Sequence, residues 1–455
     1  MRIVVDMQGA QNGSRFRGIG RYSSTFVKHL IDVAEHHEVV LVLSAAFPET
    51  LEPLRREFEC LERRGNIRVW HPVTPTPFAD PRSTSRRLVS ELIREAFFAS
   101  LQADVVLVTS LFEGCGDNVV TSIGGFTGGP PVAVILYDFI PFLYPHEYLG
   151  NDQLKAWYAA KLEHLKKANL LLAISESARD EALDITGINP LHVVNISAGV
   201  DSKFGAECGT SEAELRKKFA ITRHFLMYTG ASDPRKNLLR LVEAFALLPA
   251  DVLKGHQLVL AGKMTKRDAK NLKLQMSRAG LHKRQVVFLG QVSDSDLIGL
   301  YRAARACIMP SYHEGFGLPV LEAMACGAPV IGSNVSSIPE VIGLDEALFD
   351  PHSTESMTNA IERVLLDEAF RQRLISHGTV RCALFSWEAV ARKGLAAIEA
   401  SFSSNATGSV TFAPDRLRSI LNQLISQVGR TLVENNSERS DFMKSANSIA
   451  ANFQV

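Results

Sequence analysis

The feature that most constrains the fold of this chain is a repeated alternation of short apolar runs with helix-length segments. The first half contains the runs RIVVDM, VVLVLS, ADVVLVTS, PVAVILYD, NLLLAIS and HVVNISAG, and the second contains FLMYTG, HQLVLAG, VVFLG, ACIMPS, APVIGS and ALFDP. Short β-branched runs separated by helices are typical of parallel strands that are buried on both faces. The sequence therefore predicts an α/β protein with two parallel, Rossmann-like sheets.

The stretch between the two blocks, AGVDSKFGAECGTS, is rich in glycine and small polar residues, which is typical of a linker. We predict an N-terminal domain over 1–205 and a C-terminal domain over 206–385, with the strand carboxyl ends facing a common cleft. A helix over 386–403 is expected to cross back to the first domain. Residues 404–455 are expected to form a polar tail with one helix.

Composition disfavours several classes of function. The 49 basic residues equal the 49 acidic residues, so no strong field attracts nucleic acid. The six cysteines contain no CxxC pair, which disfavours zinc and disulfide frameworks. No apolar segment approaches the roughly 18 to 20 residues of a membrane span, and MRIVVDMQGAQ resembles a first strand more than a signal peptide. We expect a cytoplasmic protein.

A glycine-containing loop, RFRGIGR, directly follows the first predicted strand. Gly18 and Gly20 would let the backbone approach an anion at the N-terminus of the next helix, and the arginines would add donors. A dinucleotide fingerprint would require a third glycine, where the chain has Ser23, and an acid after the second strand. A nicotinamide enzyme is therefore disfavoured, whereas anion or sugar contact and a tight turn both remain open.

The stretch TGASDPRKN follows the first strand of the second block. Asp233 and Pro234 predict a helix start whose first turn carries Arg235 and Lys236. Cations at a helix N-terminus oppose the macrodipole, so an anion such as a diphosphate is expected there. The alternative is two solvated side chains.

Two glutamates flank a Gly-Phe-Gly bend in SYHEGFGLPVLEAMACGAPVI. Pro319 predicts the first turn of a helix, which places Glu322 in that turn and Glu314 on the preceding loop. The pair could be a glycosidase acid and base, a metal site, two hydroxyl-binding groups, or ordinary loop and helix residues.

A DxD sequence, Asp294-Ser295-Asp296, has the pattern that some glycosyltransferases use to hold a metal. Ser293 and Asp296 instead fit a capping box before an apolar-periodic helix. We therefore predict a helix start here and not a metal site.

The stretch PRSTSRRLVSELIREAFF combines arginines with apolar residues at helical spacing. It is a candidate contact with an anionic membrane surface, with a solvated helix face as the alternative. The residues concerned are Arg82, Arg86, Arg87, Arg94, Leu88, Leu92, Phe97 and Phe98.

Together these motifs resemble family 4 of the retaining glycosyltransferases, which have the GT-B fold, over roughly residues 1–400. The segment HEGFGLPVLEAMACGAPVIGS is similar to that family's E-x7-E signature, and TGASDPRKN, FLGQVSDSDLIGLYRAA and AISESARD with NISAGVDSKF are similar to its other blocks. SRFRGIGRY with TSLFEG and YDFIP resembles the bacterial mannosyl- and rhamnosyltransferases of O-antigen and exopolysaccharide synthesis.

The resemblance implies roles for individual residues. Glu322 would bind the ribose hydroxyls of the donor, Glu314 the sugar hydroxyls, and Lys236 the diphosphate. The implied nucleotide-sugar contacts are Gly18, Gly20, Gly230, Lys236, Glu314, Gly315, Phe316, Gly317, Leu318 and Glu322, and the implied catalytic residues are Lys236, Glu314, Asp138 and Arg235.

This chain departs from the family pattern at two places. Ala231 stands where the family commonly has a phosphate-binding arginine, so Arg235 is the candidate substitute. Tyr137-Asp138 stands where the family often has His-Asp, and we expect it to position the acceptor. The alternative for this pair is a core tyrosine and a turn aspartate.

The activity implied by the resemblance is retaining transfer of a hexose, mannose first, from a nucleotide sugar to a lipid-linked glycan at the inner face of the membrane. GDP-mannose is the first donor expected, followed by dTDP-rhamnose and UDP-hexoses. No cofactor and no metal are expected. Two alternatives remain: a glycoside hydrolase or phosphorylase that uses Glu314 and Glu322, and a non-catalytic carbohydrate-binding subunit.

Overall fold

The computed structural model describes residues 1–126, 128–205 and 211–402, so the helix expected within 404–455 lies outside the described residues. The chain divides into two compact units. Among the described residues, the first contains those within 1–174, 178–196 and 388–402, and the second contains those within 175–177 and 197–387.

The first unit contains a seven-stranded sheet in which every pair of neighbours is parallel. Its strands are β1 (Arg2–Asp6), β2 (Glu38–Ser44), β3 (Ile67–Trp70), β4 (Val105–Val108), β5 (Val132–Leu136), β6 (Leu170–Ala173) and β7 (Val193–Asn195). The strand order is β3-β2-β1-β4-β5-β6-β7. The predicted Rossmann-like first sheet is confirmed.

The edge strand β3 is absent from the sequence prediction. It is only four residues long, and Arg68 interrupts its apolar run. Ile67 and Trp70 are buried, and the strand pairs only with β2. A short strand with one neighbour needs few apolar residues, so its periodicity is weak.

The second unit contains a six-stranded parallel sheet. Its strands are β8 (His224–Thr229), β9 (His256–Ala261), β10 (Val286–Gly290), β11 (Ala306–Met309), β12 (Val330–Ser333) and β13 (Leu348–Phe349). The strand order is β10-β9-β8-β11-β12-β13. All six runs predicted in the second half are strands here.

Helices connect the strands in both units, as parallel strands require. Up to β8 they are α1 (Gly18–Val33), α2 (Pro48–Glu57), α3 (Glu59–Glu62), α4 (Thr84–Ser100), α5 (Ile140–Leu143), α6 (Pro145–Tyr148), α7 (Asp152–Leu165), α8 (Glu176–Thr186) and α9 (Glu212–Phe219). After β8 they are α10 (Leu238–Ala246), α11 (Ala250–Gly255), α12 (Lys266–Arg278), α13 (Asp294–Ala303), α14 (Leu318–Ala325), α15 (Ile338–Ile342), α16 (Thr354–Leu366), α17 (Glu368–Cys382) and α18 (Trp387–Phe402).

Both sheets reverse their strand order at one internal position, between β1 and β4 in the first and between β8 and β11 in the second. In open α/β sheets, ligands bind outside the carboxyl ends of the strands at such a switch point. The loops that follow β8 and β11 carry Lys236 and Glu314. The switch point of the second sheet therefore coincides with two of the candidate site residues.

The segment expected to be a linker belongs to the second unit from residue 197 onward, earlier than the predicted boundary at 205. Val200 donates its backbone N–H to the carbonyl of Phe385 at 2.9 Å, and Phe204 packs on Tyr301 with ring centroids 6.4 Å apart. These contacts, which the composition of the segment does not reveal, attach it to the second unit.

The helix expected to cross back is α18, whose residues from 388 onward belong to the first unit. Its Glu399 accepts a hydrogen bond from His37 Nε2 at 2.8 Å. Gly394 packs so closely on Phe26 that a Cβ there would lie 2.8 Å from the ring. The C-terminal helix thus completes the core of the N-terminal unit.

Half of the residues in the arginine-rich stretch considered as a membrane contact are buried or paired within the chain, whereas Arg82 and Leu88 are exposed. Arg94 is 1% exposed and pairs with Asp6, and Arg87 pairs with Glu91 at 3.1 Å on its own helix. Phe97 and Phe98 are buried in the core. Most of the stretch is helix α4, whose Leu92, Phe97 and Phe98 pack in the core of the first unit. Among the described residues, no helix is long and apolar enough to cross a membrane.

Candidate functional site

A buried ion triad lies after two neighbouring strands of the second sheet. Lys236 and Arg235 follow β8, and Glu314 follows β11. Lys236 Nζ donates to Glu314 Oε1 at 2.5 Å, and Arg235 Nη1 donates to Glu314 Oε2 at 2.7 Å. Ser311 Oγ also donates to Oε1, at 2.6 Å. Two cations thus share one carboxylate, and we call these three charged residues the ion triad.

The ion triad sets the charge state of Glu314. Burial alone would raise the pKa of this carboxyl group, but the charges of Lys236 and Arg235 and the hydrogen bonds from Lys236 and Ser311 lower the pKa to about 2. Glu314 is therefore ionised throughout the neutral range. A second carboxylate, that of Asp233, has its Oδ1 3.7 Å from Arg235 Nε, so two carboxylates face the two cations of the triad.

The predicted location of Arg235 and Lys236 in the first turn of a helix is wrong. They lie in a separate 3-10 turn, Pro234–Lys236, and helix α10 begins only at Leu238. Asn237 separates the two elements because it has a left-handed backbone with φ of +58°. Asp233 caps the 3-10 turn by accepting from the N–H of Arg235. The cations therefore do not oppose a macrodipole, and Glu314 partly compensates their charge.

Asn237 also ties the site together. Its Nδ2 donates to the carbonyl of Pro310 at 3.0 Å and to that of Pro351 at 2.8 Å. Asparagine tolerates a left-handed backbone and supplies two amide hydrogens. Sequence reasoning passed over this residue, although an asparagine directly before an apolar-periodic helix is a recognisable signal.

Glu322 lies on α14, one residue further along the helix than predicted. The helix begins at Leu318 after Gly317, so Glu322 is its fifth residue and its first turn contains no acid. The carboxyl group is buried, and Tyr301 Oη donates to its Oε2 at 3.4 Å. Pro319 occupies the first turn, as predicted. The prediction failed because it started the helix one position too late.

The bend between the two glutamates is built around Phe316 and Gly317. The Phe316 ring is buried and meets the ring of Phe385 edge-on, with centroids 5.8 Å apart. Gly317 has a φ of +103°, which favours glycine. The Phe316 side chain is therefore a structural anchor, and only the backbone of the bend is free to contact a ligand.

Two serines missed by the sequence reasoning hold this bend. Ser336 Oγ accepts from the N–H of Glu314 at 3.0 Å. Ser337 Oγ donates to the carbonyls of Glu314 and Phe316, at 2.9 and 2.8 Å. Both serines follow β12, the neighbour of β11 in the sheet. The one sequence signal that could have identified them is their position directly after a predicted strand of the same sheet.

Gly230 ends β8 with a φ of +148°. A Cβ there would lie 2.6 Å from Tyr228 Oη. The neighbouring strand end is equally tight, because a Cβ at Gly262 would lie 2.0 Å from the carbonyl oxygen of Gly230. Both glycines are therefore required by close approach within the chain itself.

The two glycines predicted to admit an anion in the first unit differ in their surroundings. Gly18 begins α1, and a Cβ there would meet nothing within 4 Å. A Cβ at Gly20 would lie 2.4 Å from Arg15 Cα, so Gly20 allows α1 to pack on the preceding turn. An open approach exists at Gly18 only.

Tyr137 and Asp138 follow β5 in the first unit. Tyr137 Oη lies 3.0 Å from Ser23 Oγ and donates to the carbonyl of Ile19 at 3.3 Å. Burial raises the pKa of this phenol, so it remains protonated. Asp138 Oδ1 accepts from the N–H of Ile140 at 3.0 Å. The structure thus brings Tyr137 to the first turn of α1, which contains Gly18 and Gly20 and was expected to be a loop.

The DxD aspartates are paired with lysines. Asp294 accepts from Lys203 Nζ at 2.7 Å, and Asp296 accepts from Lys218 Nζ at 2.8 Å. Ser293 caps α13 by accepting from the N–H of Asp296 at 3.1 Å, as predicted. Within residues 1–126, 128–205 and 211–402, no group of three or more His, Cys, Asp or Glu side chains is arranged to hold a metal.

The candidate site residues of the second unit fall within a recognised sequence family. Residues 211–381 match the family described as Glycosyl transferases group 1. The match includes both members of each pair discussed above, Arg235 with Lys236 and Glu314 with Glu322.

Two curated relatives are mannosyltransferases of Escherichia coli. The chain is 33% identical over 390 residues to the serotype-specific mannosyltransferase WbdA, covering 85% of this chain and 46% of the relative. It is 32% identical over 243 residues to O-antigen chain mannosyltransferase B, covering 53% of this chain and 63% of the relative. The chain thus spans less than two thirds of the length of either relative.

A solved structure of similar fold is Anabaena Alr3699/HepE in complex with UDP and glucose. The TM-score is 0.60 at 18% sequence identity, and the likeness covers 88% of this chain and 100% of that chain. At this identity the likeness concerns the fold. Residues 211–381 therefore belong to the Glycosyl transferases group 1 family, in a chain that has the GT-B fold of two Rossmann-like domains and is homologous to O-antigen mannosyltransferases.

Proposed function

We propose that this protein is a retaining glycosyltransferase that moves mannose from GDP-mannose to a hydroxyl group of a lipid-linked glycan. The observation that carries this proposal is the ion triad at the switch point of the second sheet. It combines two cations that can contact a diphosphate with an ionised carboxylate for sugar hydroxyls.

Lys236 and Arg235 would stabilise the diphosphate as it leaves. In this reaction the bond between the anomeric carbon and the diphosphate oxygen breaks, and a bond from that carbon to the acceptor oxygen forms on the same face. The acceptor proton passes to the departing diphosphate oxygen. The charge that develops there is stabilised best by donors held in place before the reaction, and Glu314 holds both cations.

Glu314 can serve the donor sugar without releasing its cations. A carboxylate has about four lone-pair sites, and the hydrogen bonds from Lys236, Arg235 and Ser311 occupy three of those of Glu314. One further hydrogen bond from a sugar hydroxyl fits this capacity. Glu322, on the helix behind the bend, is the candidate for the ribose hydroxyls.

The same electrostatics argue against a glycoside hydrolase. Such an enzyme needs one carboxyl group that is protonated at working pH and donates to the leaving oxygen. Glu314 has a pKa of about 2 and lies against two cations, so it cannot supply a proton. The hydrolase alternative therefore lacks its acid at this position.

The choice of mannose follows from the names of the relatives, two of which are mannosyltransferases and one of O-antigen chains. A growing glycan on a lipid carrier is the acceptor class that matches such chains. The same acceptor would place the reaction at the inner face of the membrane.

We propose that this protein needs neither a cofactor nor a metal, because Lys236 and Arg235 would take the place of the metal ion in DxD enzymes.

A thermal-shift panel of GDP-, UDP- and dTDP-sugars tests the donor. A ligand that binds only the folded state raises the melting midpoint, so GDP-mannose should give the largest rise. Release of GDP in the presence of a lipid-linked mannan acceptor then tests transfer. A panel without any shift would contradict the proposal, and a shift without turnover on any acceptor would favour a carbohydrate-binding subunit.

A further inference from the structure

Ser337 occupies an unusual position for a helix-capping residue. It is the N-cap residue of the five-residue helix α15, but its side chain makes no capping hydrogen bond. The residue is 0% exposed. Its hydroxyl is directed instead at the Gly-Phe-Gly bend, where it lies within 2.9 Å of the Glu314 carbonyl and 2.8 Å of the Phe316 carbonyl. One hydroxyl hydrogen is shared between the two acceptors.

These two contacts fix the direction of two peptide groups. The carbonyl of Glu314 belongs to the peptide whose N–H is that of Gly315, and the carbonyl of Phe316 belongs to the peptide whose N–H is that of Gly317. In a planar trans peptide, C=O and N–H point in opposite directions. Because both carbonyls point at Ser337, the N–H groups of Gly315 and Gly317 both point away from it, to one side of the bend.

The two N–H groups are available on that side. Among the described residues, neither Gly315 nor Gly317 donates its N–H to another group. The adjacent N–H of Glu314 is already bound by Ser336, whose φ of +52° brings its hydroxyl into place. Successive backbone N–H groups with a common direction form a concave site for an anionic oxygen.

We propose that Ser337 is a positioning residue that aims the Gly315 and Gly317 N–H groups at an oxygen of the donor diphosphate. The proposal rests on the proposed function, because the anion is that of a nucleoside diphosphate. The two cations of the ion triad contact the carboxylate of Glu314, the residue directly before this bend. Ser337 thus acts through the backbone and does not touch the donor itself.

Four variants separate this role from general packing. Ser337→Ala removes the donor, Ser337→Cys keeps the volume with a weaker donor, and Ser337→Thr keeps the hydroxyl. The matched control is Ser333→Ala, because Ser333 is also 0% exposed and its hydroxyl has no hydrogen-bond partner among the described residues. Both serines lie in the segment that begins at the end of β12.

The measurement is the kcat and KM of GDP release, with donor and acceptor varied separately. Ser337→Ala should lower kcat/KM for the donor by roughly tenfold, less than the removal of a donor outright, because the N–H groups are misdirected and not lost. The KM of the acceptor should not change. The loss should decrease from Ala to Cys to Thr, and Ser333→Ala should match the wild type. If Ser337→Ala does not fold, the test is whether Ser337→Cys loses more kcat/KM for the donor than Ser337→Thr.

Equal losses in Ser337→Ala and Ser333→Ala would overturn the inference, as would a Ser337→Ala value within twofold of wild type. Calorimetry with GDP and GDP-mannose separates this failure from failure of the proposed function. If the wild type binds donor and Ser337→Ala binds it equally well, only the inference fails. If the wild type binds no nucleotide sugar of the panel, the proposed function fails and the role of Ser337 falls with it.

Discussion

Lys236 Nζ lies 2.5 Å from Glu314 Oε1, although 78 positions separate the two residues in the sequence. The contact is possible because β8 and β11 are neighbours at the point where the strand order reverses. The two residues of this ion pair follow different strands, so the distance between them is fixed only while those strands are paired in the sheet. The site is therefore a product of the topology and not of either loop alone.

Lys236 should be the most sensitive residue of the triad in catalysis. We expect Lys236→Ala to lower the turnover number by roughly several hundredfold, because a donor aimed at the leaving group is lost. The measurement is GDP release at saturating donor, with circular dichroism to confirm the fold. Lys263→Ala, an exposed lysine at the end of β9, is the control and should retain wild-type turnover. A near-normal rate in Lys236→Ala would contradict the diphosphate role.

Glu314→Gln tests the low pKa of Glu314. A carboxyl group whose pKa is lowered on folding stabilises the protein above its unfolded pKa of about 4.3. That contribution disappears as the pH falls towards the folded value of about 2. We therefore expect the variant to be less stable than the wild type at neutral pH, with a difference that shrinks on acidification.

Urea unfolding at about pH 7, pH 4 and pH 3 measures this difference. A parallel variant, Glu399→Gln, removes a carboxylate that pairs with His37 on a partly exposed helix and serves as the control. A difference between Glu314→Gln and wild type that stays constant with pH would contradict the lowered pKa.

Full activity in excess chelator is expected, because Lys236 and Arg235 supply the positive charge that a divalent ion supplies in DxD enzymes. Both aspartates of the DxD sequence are paired with lysines. The assay is GDP release after dialysis against EDTA, with and without added magnesium or manganese. Loss of activity that either metal restores would show that the chain requires an ion.

No hydrolysis of oligosaccharides is expected in the absence of a nucleotide sugar. Glu314 is ionised at working pH and cannot act as a general acid. The test is release of free sugar from a panel of mannosides, followed by chromatography, with a commercial mannosidase as the positive control. Release that depends on Glu314 and Glu322 would instead support the hydrolase.

Arg94→Leu should destabilise the protein by about 3 to 5 kcal/mol, because it leaves the buried carboxylate of Asp6 without its cation. Arg82→Leu is the matched control from the same sequence stretch, since its side chain is 89% exposed and should change stability by less than about 0.5 kcal/mol. Chemical denaturation measures both. Equal effects would mean that Asp6 finds another partner.

The strands were predictable because buried parallel strands have continuous apolar runs, and the order of runs and helices predicts the parallel topology. Glu314 and Lys236 were identified by sequence resemblance, but their mutual contact was not, since it depends on which strands are neighbours. The placement of Arg235 and Lys236 in α10 failed at a single residue, Asn237, whose left-handed backbone ends the 3-10 turn. The φ of +58° at Asn237 is what separates the 3-10 turn from α10, and the sequence does not show it.

The arginine-rich helix α4 shows a different limit. Its apolar residues have the spacing of a helix with one buried face, which a membrane or a protein core would cover equally well. In the structure Arg94 pairs with Asp6, which lies 88 positions earlier in the chain, so the partner that distinguishes a core from a membrane cannot be read from the helix itself.

Ser337 was missed for a similar reason, because its contacts are with backbone carbonyls that carry no sequence signal.

The contact between Gly230 and Gly262 restricts how this protein can be redesigned. Because a methyl group at position 262 would lie 2.0 Å from the carbonyl of Gly230, neither strand end accepts a new side chain. Libraries that aim to change the donor should therefore leave both positions fixed.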